Sequence, residues 1–274
     1  MVTSSDGHRM AVAAFDYTGS VVVVTGGSRG IGRGVVRAFL AAGAEVVTCG
    51  RHRPAAGDVP EATGPDGRRR TAWFVEADLR VADDADAVVA EAVSRFGRLD
   101  VLVNNAGGSP RASAATASSR FSESIVALNL LAPLQCAQAA NAVMQAQESG
   151  GAIVNIGSVS GLRPSPGTAV YGAAKAGLVS LTGSLAVEWA PKVRVNCVSA
   201  GLVATEAAAD HYGGDDGVAR VAATVPLGRM ATPDDIAGLC LFLGSAAASY
   251  VSGANLVAHG GGEPPAFLAA AGGV

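Results

Sequence analysis

Apolar runs of strand length alternate along this chain with stretches of helical period, and that alternation limits how it folds more than any other feature. "SVVVVTGG" (20–27), "GAEVVTCGR" (43–51), "TAWFVEAD" (71–78), "LDVLVNNAG" (99–107), "GAIVNIGS" (151–158) and "KVRVNCVSAG" (192–201) read as strands. Their centres are continuously apolar rather than alternating, so both faces need cover, as in a parallel sheet between layers of helix. The helices between them carry apolar stripes, Val35, Val36, Phe39 and Leu40 in the first and Val88, Val89, Ala92, Val93 and Phe96 in a later one. A long helical segment at 124–146 and a helix holding Tyr171 and Lys175 follow. The expected fold class is α/β, a doubly wound parallel sheet with helices on both faces. At 274 residues and 49% hydrophobic side chains, the chain suffices for one such domain, with no internal repeat.

Two stretches break the rhythm. Residues 51–70, "RHRPAAGDVPEATGPDGRRR", hold three prolines and three glycines where a crossover helix is expected, so that helix is shortened or missing and a flexible surface loop is expected. Residues 205–225, "TEAAADHYGGDDGVARVAATV", are polar and glycine-containing and follow the end of a central strand, where parallel sheets bind ligands.

Composition excludes several roles. A net charge of -3 gives no basic stripe for nucleic acid, so small molecules are the expected partners. Cys49, Cys136, Cys197 and Cys240 are widely spaced with no CxxC or Cys/His cluster, which predicts buried reduced thiols, no metal site and a cytoplasmic setting. The N-terminus lacks a cationic start followed by a sustained apolar core, and no later run reads as a membrane span.

"TGGSRGIG" (25–32) joins the first strand to the first helix. Gly26, Gly30 and Gly32 let the backbone turn tightly and approach a pyrophosphate, which the helix N-terminus then meets with free N–H groups. The G-x-x-x-G-x-G spacing matches the general dinucleotide fingerprint only loosely, so the strand and helix around it carry the reading.

With "NNAG" (104–107), the lone asparagine of "ALNLL" (Asn129), the serine of "IVNIGS" (Ser158) and "YGAAK" (171–175) in the same order, the chain resembles the classical short-chain dehydrogenases/reductases. The resemblance runs from about Phe15 to Gly261 and implies a single-domain Rossmann fold over 15–262, between tails at 1–14 and 263–274. It implies a hydride transfer between a nicotinamide and a ketone or secondary alcohol. Physical chemistry agrees at Tyr171 and Lys175: four residues apart on a helix, they share a face. A phenol is a poor base at neutral pH, and a neighbouring ammonium stabilises its phenolate. A phenol so tuned gives a proton to a carbonyl oxygen or takes one from an alcohol.

By the same resemblance, Tyr171 is the general acid/base, Lys175 lowers its pKa and holds the nicotinamide ribose, Ser158 polarises the substrate carbonyl, and Asn129 anchors a water in a proton relay. Ser160 is the poorer alternative to Ser158, because its spacing to the tyrosine is wrong. The cofactor would lie on Gly26, Ser28, Arg29, Gly30, Ile31 and Gly32. Asp78 and Leu79 would meet the adenine, Asn105, Ala106 and Gly107 the adenine-ribose side, and Val203 and Thr205 the carboxamide. Departures from the family pattern are Ala200 in place of a proline and His259 in place of an aspartate.

Cofactor choice turns on the end of the second strand. An acid there would bind the ribose 2′-OH and repel a 2′-phosphate. This chain has Gly50 followed by Arg51, with Arg29 within reach, which favours NADP(H) over NAD(H). The substrate expectation is a 3-oxoacyl thioester, with cyclic or steroid-derived ketones and alcohols, including CoA thioesters, as the alternative. A catalytically silent nucleotide-binding scaffold or sensor is the alternative of another class. A homo-oligomer, tetramer or dimer, built through the long helices is expected from the resemblance.

Overall fold

Four valines and a threonine make β1 (Val21–Thr25), buried along its whole length. It takes an interior place, third of seven, in a sheet whose pairings are all parallel. The structure, a computed structural model, describes residues 15–55, 57–265, 267 and 270–272; the expected tail at 1–14 and part of that at 263–274 lie outside the described residues. From β1 the chain runs through α1 (Gly30–Ala41), β2 (Glu45–Gly50), a hairpin of β3 (Glu61–Thr63) and β4 (Arg69–Thr71), β5 (Trp73–Glu76), α2 (Ala82–Phe96) and β6 (Val101–Asn104). It continues through α3 (Ser119–Val126), a π-helical turn at Ala127–Leu131, α4 (Ala132–Ala146), β7 (Gly151–Ser158), α5 (Ala169–Glu188) and β8 (Val193–Ala200). The last part holds α6 (Ala208–Tyr212), α7 (Gly214–Ala222), α8 (Pro233–Gly244) and β9 (Asn255–Ala258).

Sheet order is β5-β2-β1-β6-β7-β8-β9. The side chains of β1 alternate between two apolar layers: Val22 and Val24 pack with Val35, Phe39, Ile236 and Leu241 of α1 and α8, whereas Val21 and Val23 pack with Val88, Ala137 and Leu185 of α2, α4 and α5. Period-two side-chain geometry is what lets one strand serve both layers. The strand order reverses between β1 and β6, which opens a crevice above their carboxyl ends.

Two expectations need correction, and one segment left without an assigned structure is resolved. The missing crossover helix at 51–70 is replaced by the β3–β4 hairpin rather than by a structureless loop. Arg70 holds it there: buried at 5% exposure, it donates to both Asp66 oxygens at 2.8 Å and lies 3.6 Å from Glu45. Residues 205–225 form α6 and α7, separated by Gly213 at φ 83°, and α7 is favoured by Asp215 and Asp216 in its first turn and Arg220 in its last. Finally, Ser119–Ala146 and Ala169–Glu188 are long and apolar enough to cross a membrane by length and composition, contrary to the sequence reading. Both helical stretches seat residues in the layer under the sheet, and core helices pass the same test.

Candidate active site

The glycine turn after β1 is clamped from β6. Thr25 Oγ1 accepts the N–H groups of Asn105 and Ala106, each at 2.9 Å, and Asn105 Nδ2 donates to the carbonyls of Thr25 at 2.9 Å and Gly26 at 3.1 Å. A Cβ on Gly32 would lie 2.3 Å from the Gly26 oxygen and 2.4 Å from Asn105 Nδ2, so only glycine lets α1 start this close to the strand. Above the turn lies a cleft of about 660 Å³. Gly26, Ser28, Arg29, Gly30, Ile31, Gly32, Arg51, Asp78, Leu79, Asn105, Ala106, Gly107, Val203 and Thr205 line it, together with Ser158, Tyr171 and Lys175. The sequence expectation thus names residues that the fold gathers from the carboxyl ends of six strands and from the N-terminal turns of α1 and α5. Asn129 is the exception: it is fully buried behind the wall.

Ser158 ends β7 and accepts the N–H of Ser160 at 3.2 Å, while Tyr171 stands in the first turn of α5, facing it. Lys175, one turn further, is 3% exposed; its Nζ donates to the Ile156 carbonyl at 2.8 Å and lies 5.8 Å from the Tyr171 ring centre. Burial lowers the Lys175 pKa to about 8. Burial also raises the Tyr171 phenol above its ordinary value, against a smaller lowering by the Ser158 hydroxyl. The sequence reading had Lys175 depress that phenol. In this cleft, without a bound dinucleotide, desolvation is the larger influence on the phenol.

Asn129 sits in the π-helical turn, where the widened backbone leaves the Ile125 carbonyl to be met by Asn129 Nδ2 at 2.9 Å. The same Nδ2 donates to Gly108 O at 3.0 Å, and Oδ1 accepts the Gly108 N–H at 2.9 Å. A Cβ on Gly107 would meet Asn129 Oδ1 at 2.7 Å and Lys175 Nζ at 3.3 Å, so Gly107 is the thin partition between the two.

At the opposite end, beyond Gly50, Arg29, Arg51, His52 and Arg80 line the cleft. Asp78 is the carboxylate there, and Arg80 pairs with it and holds it below the usual carboxylate range. His52 and Arg80 were not singled out from the sequence, although each lies beside a residue that was. Tyr212 stands on α6 and lines the cleft.

A parallel sheet with a glycine-lined cleft at its reversal point is the architecture of a Rossmann-type nucleotide-binding protein. The family model described as enoyl-(acyl carrier protein) reductase matches residues 26–263. A protein of Sinorhizobium fredii described as an uncharacterized short-chain type dehydrogenase/reductase is 39% identical over 250 residues, 89% of this chain; the chain spans only 43% of that relative. The L-rhamnose 1-dehydrogenase (NAD(P)(+)) of Azotobacter vinelandii is 39% identical over 243 residues, covering 88% of this chain and 95% of that one. Among solved structures, a Beutenbergia cavernae protein assigned as an NAD(P)-dependent gluconate 5-dehydrogenase, with NADP bound at low occupancy, superposes with a TM-score of 0.80 at 36% identity over 90% of this chain and 98% of that one. The chain belongs to the short-chain dehydrogenases/reductases. It is an NAD(P)-dependent oxidoreductase, as the motif resemblance implied.

Proposed function

We propose that the chain interconverts a small ketone and its secondary alcohol, with Tyr171 as general acid/base and NADP(H) as the preferred dinucleotide. The observation that carries this reading is the convergence of Ser158, Tyr171 and Lys175 at one end of a cleft whose other end is glycine-lined. The residues fit the group: the glycine turn at the start of α1, where Gly32 has no space for a Cβ, puts a helix N-terminus at the floor of the cleft, where a pyrophosphate would be held. When bound, the dinucleotide supplies or accepts the hydride. Tyr171, kept protonated by burial, donates its proton to the carbonyl oxygen during reduction, and Ser158 donates a hydrogen bond to the same oxygen. Lys175 holds positive charge beside the phenolate that this transfer leaves. Asn129 fixes Gly107 and Gly108 as the wall behind Lys175.

The cluster of Arg29, Arg51 and Arg80, with His52 as a further hydrogen-bonding group, supports the NADP(H) preference, because a 2′-phosphate would find guanidinium groups and one acid already paired to Arg80. A hydroxylated sugar or sugar acid is the substrate class we favour. Tyr212 in the cleft gives a polar contact, and the Arg163–Glu263 ion pair joins the loop after Ser158 to the segment after β9. The L-rhamnose and gluconate relatives support the same class. A 3-oxoacyl thioester is the second reading, supported by the acyl-carrier-protein description of the matching family model. The reading includes a cytoplasmic setting, consistent with four free buried cysteines, and self-association through the long helices, where Leu131 and Val187 leave apolar surface.

The test is nicotinamide absorbance with NADPH and NADH, and their oxidised forms, against aldoses, sugar acids and 3-oxoacyl thioesters. Turnover of a sugar class that Tyr171→Phe abolishes is the expected result. Turnover of thioesters alone moves the assignment to the second reading, and none with any substrate returns it to a silent scaffold.

A further inference from the structure

Glu206 contacts Gly30, which lines the cleft, in a way that the proposed chemistry does not use. Its Oε2 accepts the backbone N–H of Gly30 at 3.0 Å. Gly30 is the first residue of a twelve-residue helix, whose unpaired N–H groups concentrate positive potential. That helix end has no capping side chain of its own: Arg29 stands at the cap position, and the first turn holds no acid. A carboxylate 176 residues along the chain fills the role instead. Steric contact agrees, since a Cβ on Gly30 would lie 3.4 Å from Thr205 Cγ2 and 4.0 Å from Glu206 Oε2. The segment after β8 is therefore laid against the glycine turn.

We propose that Glu206 is a built-in anion that holds the pyrophosphate position of the cleft, and that a dinucleotide binds only by displacing it. The proposal rests on the reading that the cleft takes a dinucleotide. Carboxylate and phosphate oxygens accept from the same N–H, and two negative charges do not share one donor. Glu206 is exposed, so its carboxylate has water to move into. Thr205 and Tyr212 line the cleft on either side of it in sequence, and the Ala208 N–H binds Thr205 O at 2.9 Å. Displacement of Glu206 thus shifts the segment that walls the substrate end. One side chain both steadies the free protein and weakens its hold on the cofactor.

The experiment compares the wild type with Glu206→Gln and Glu206→Ala in two measurements. Dissociation constants are taken for NADPH, for inorganic pyrophosphate and for adenosine 2′-monophosphate, which carries no pyrophosphate. The thermal midpoint of the free protein is taken alongside. The expected result is roughly threefold to tenfold tighter binding of NADPH and pyrophosphate, unchanged binding of adenosine 2′-monophosphate, and a midpoint about one to three degrees lower. Equal or weaker NADPH binding in the variants, or equal tightening of all three ligands, overturns the proposal. Absence of NADPH binding in every form, wild type included, instead overturns the dinucleotide reading on which it rests.

Discussion

Asn129 and Gly108 hold each other reciprocally, the side-chain Nδ2 donating to Gly108 O at 3.0 Å and the Gly108 N–H donating to Oδ1 at 2.9 Å. Both partners are tied to the cleft wall, Asn129 through the π-helical turn and Gly108 through the loop after β6. Asn129→Ala leaves the Gly108 groups and the Ile125 carbonyl without their partner. The expected loss is about 1 to 3 kcal/mol of stability and at least about tenfold in kcat, with secondary structure retained. Urea unfolding and steady-state rates check it; a variant with full kcat would show that the wall needs no such tie.

Tyr171→Phe removes the proton carrier while keeping the ring. The expected fall in kcat is about 10²- to 10⁴-fold, with NADPH dissociation within about threefold of the wild type. Loss of binding by a larger factor would instead place Tyr171 in cofactor binding alone. The two constants are separable by fluorescence titration and single-turnover kinetics.

Lys175 gives that reaction a pH limit. Burial lowers its pKa to about 8, so its charge in the free protein is present below that pH and lost above it. kcat/KM for NADPH, which reports on the free protein, therefore declines above about pH 8. Lys175→Arg keeps its charge, so its lower plateau extends to more alkaline pH. A profile of the same shape in both proteins would remove Lys175 as the titrating group.

Gly50 offers a test of cofactor choice. A Cβ there would meet nothing nearer than Phe74 Cζ at 3.4 Å, an ordinary contact, so Gly50→Asp fits without disturbing the turn. The new carboxylate would face a 2′-phosphate with like charge and accept from a 2′-OH. The ratio of kcat/KM for NADPH over NADH is expected to fall about tenfold or more. An unchanged ratio would mean that the adenosine end lies away from Gly50.

Continuous apolar runs announced the parallel sheet because each strand is covered on both faces, and the β7 bounds read from sequence match the observed Gly151–Ser158. Local spacing also exposed the site wherever its residues share one turn, as at Gly26–Gly32 or Tyr171–Lys175. What spacing cannot carry is contact between distant segments. The β3–β4 hairpin depends on Arg70 reaching Asp66 and Glu45, so its prolines and glycines read as loop. Glu206 reads as one more polar residue until β8 brings it to Gly30. The desolvation that raises the Tyr171 phenol in the free protein was not legible either, since burial belongs to the fold and not to the pair.

The four cysteines make a prediction about stability rather than catalysis. All are buried and free, and burial pushes Cys49 to about 11, Cys240 to about 12, and Cys136 and Cys197 upward. In the unfolded chain a thiol ionises near about 8.5, so above that pH the unfolded state has released protons that the folded state retains. Folded stability is therefore full below about pH 8.5 and falls as pH rises toward the folded values, by up to about 1.4 kcal/mol per pH unit for each thiol. Lys175 works in the opposite sense between about 8 and 10.5, because its folded pKa is the depressed one. One lysine against four thiols leaves the net slope downward. The urea midpoint is expected to drop steadily from pH 8.5 to 10.5, and Cys240→Ala, less stable at neutral pH, to show a shallower drop. A midpoint that holds or rises over that interval would mean that the thiols ionise inside the fold.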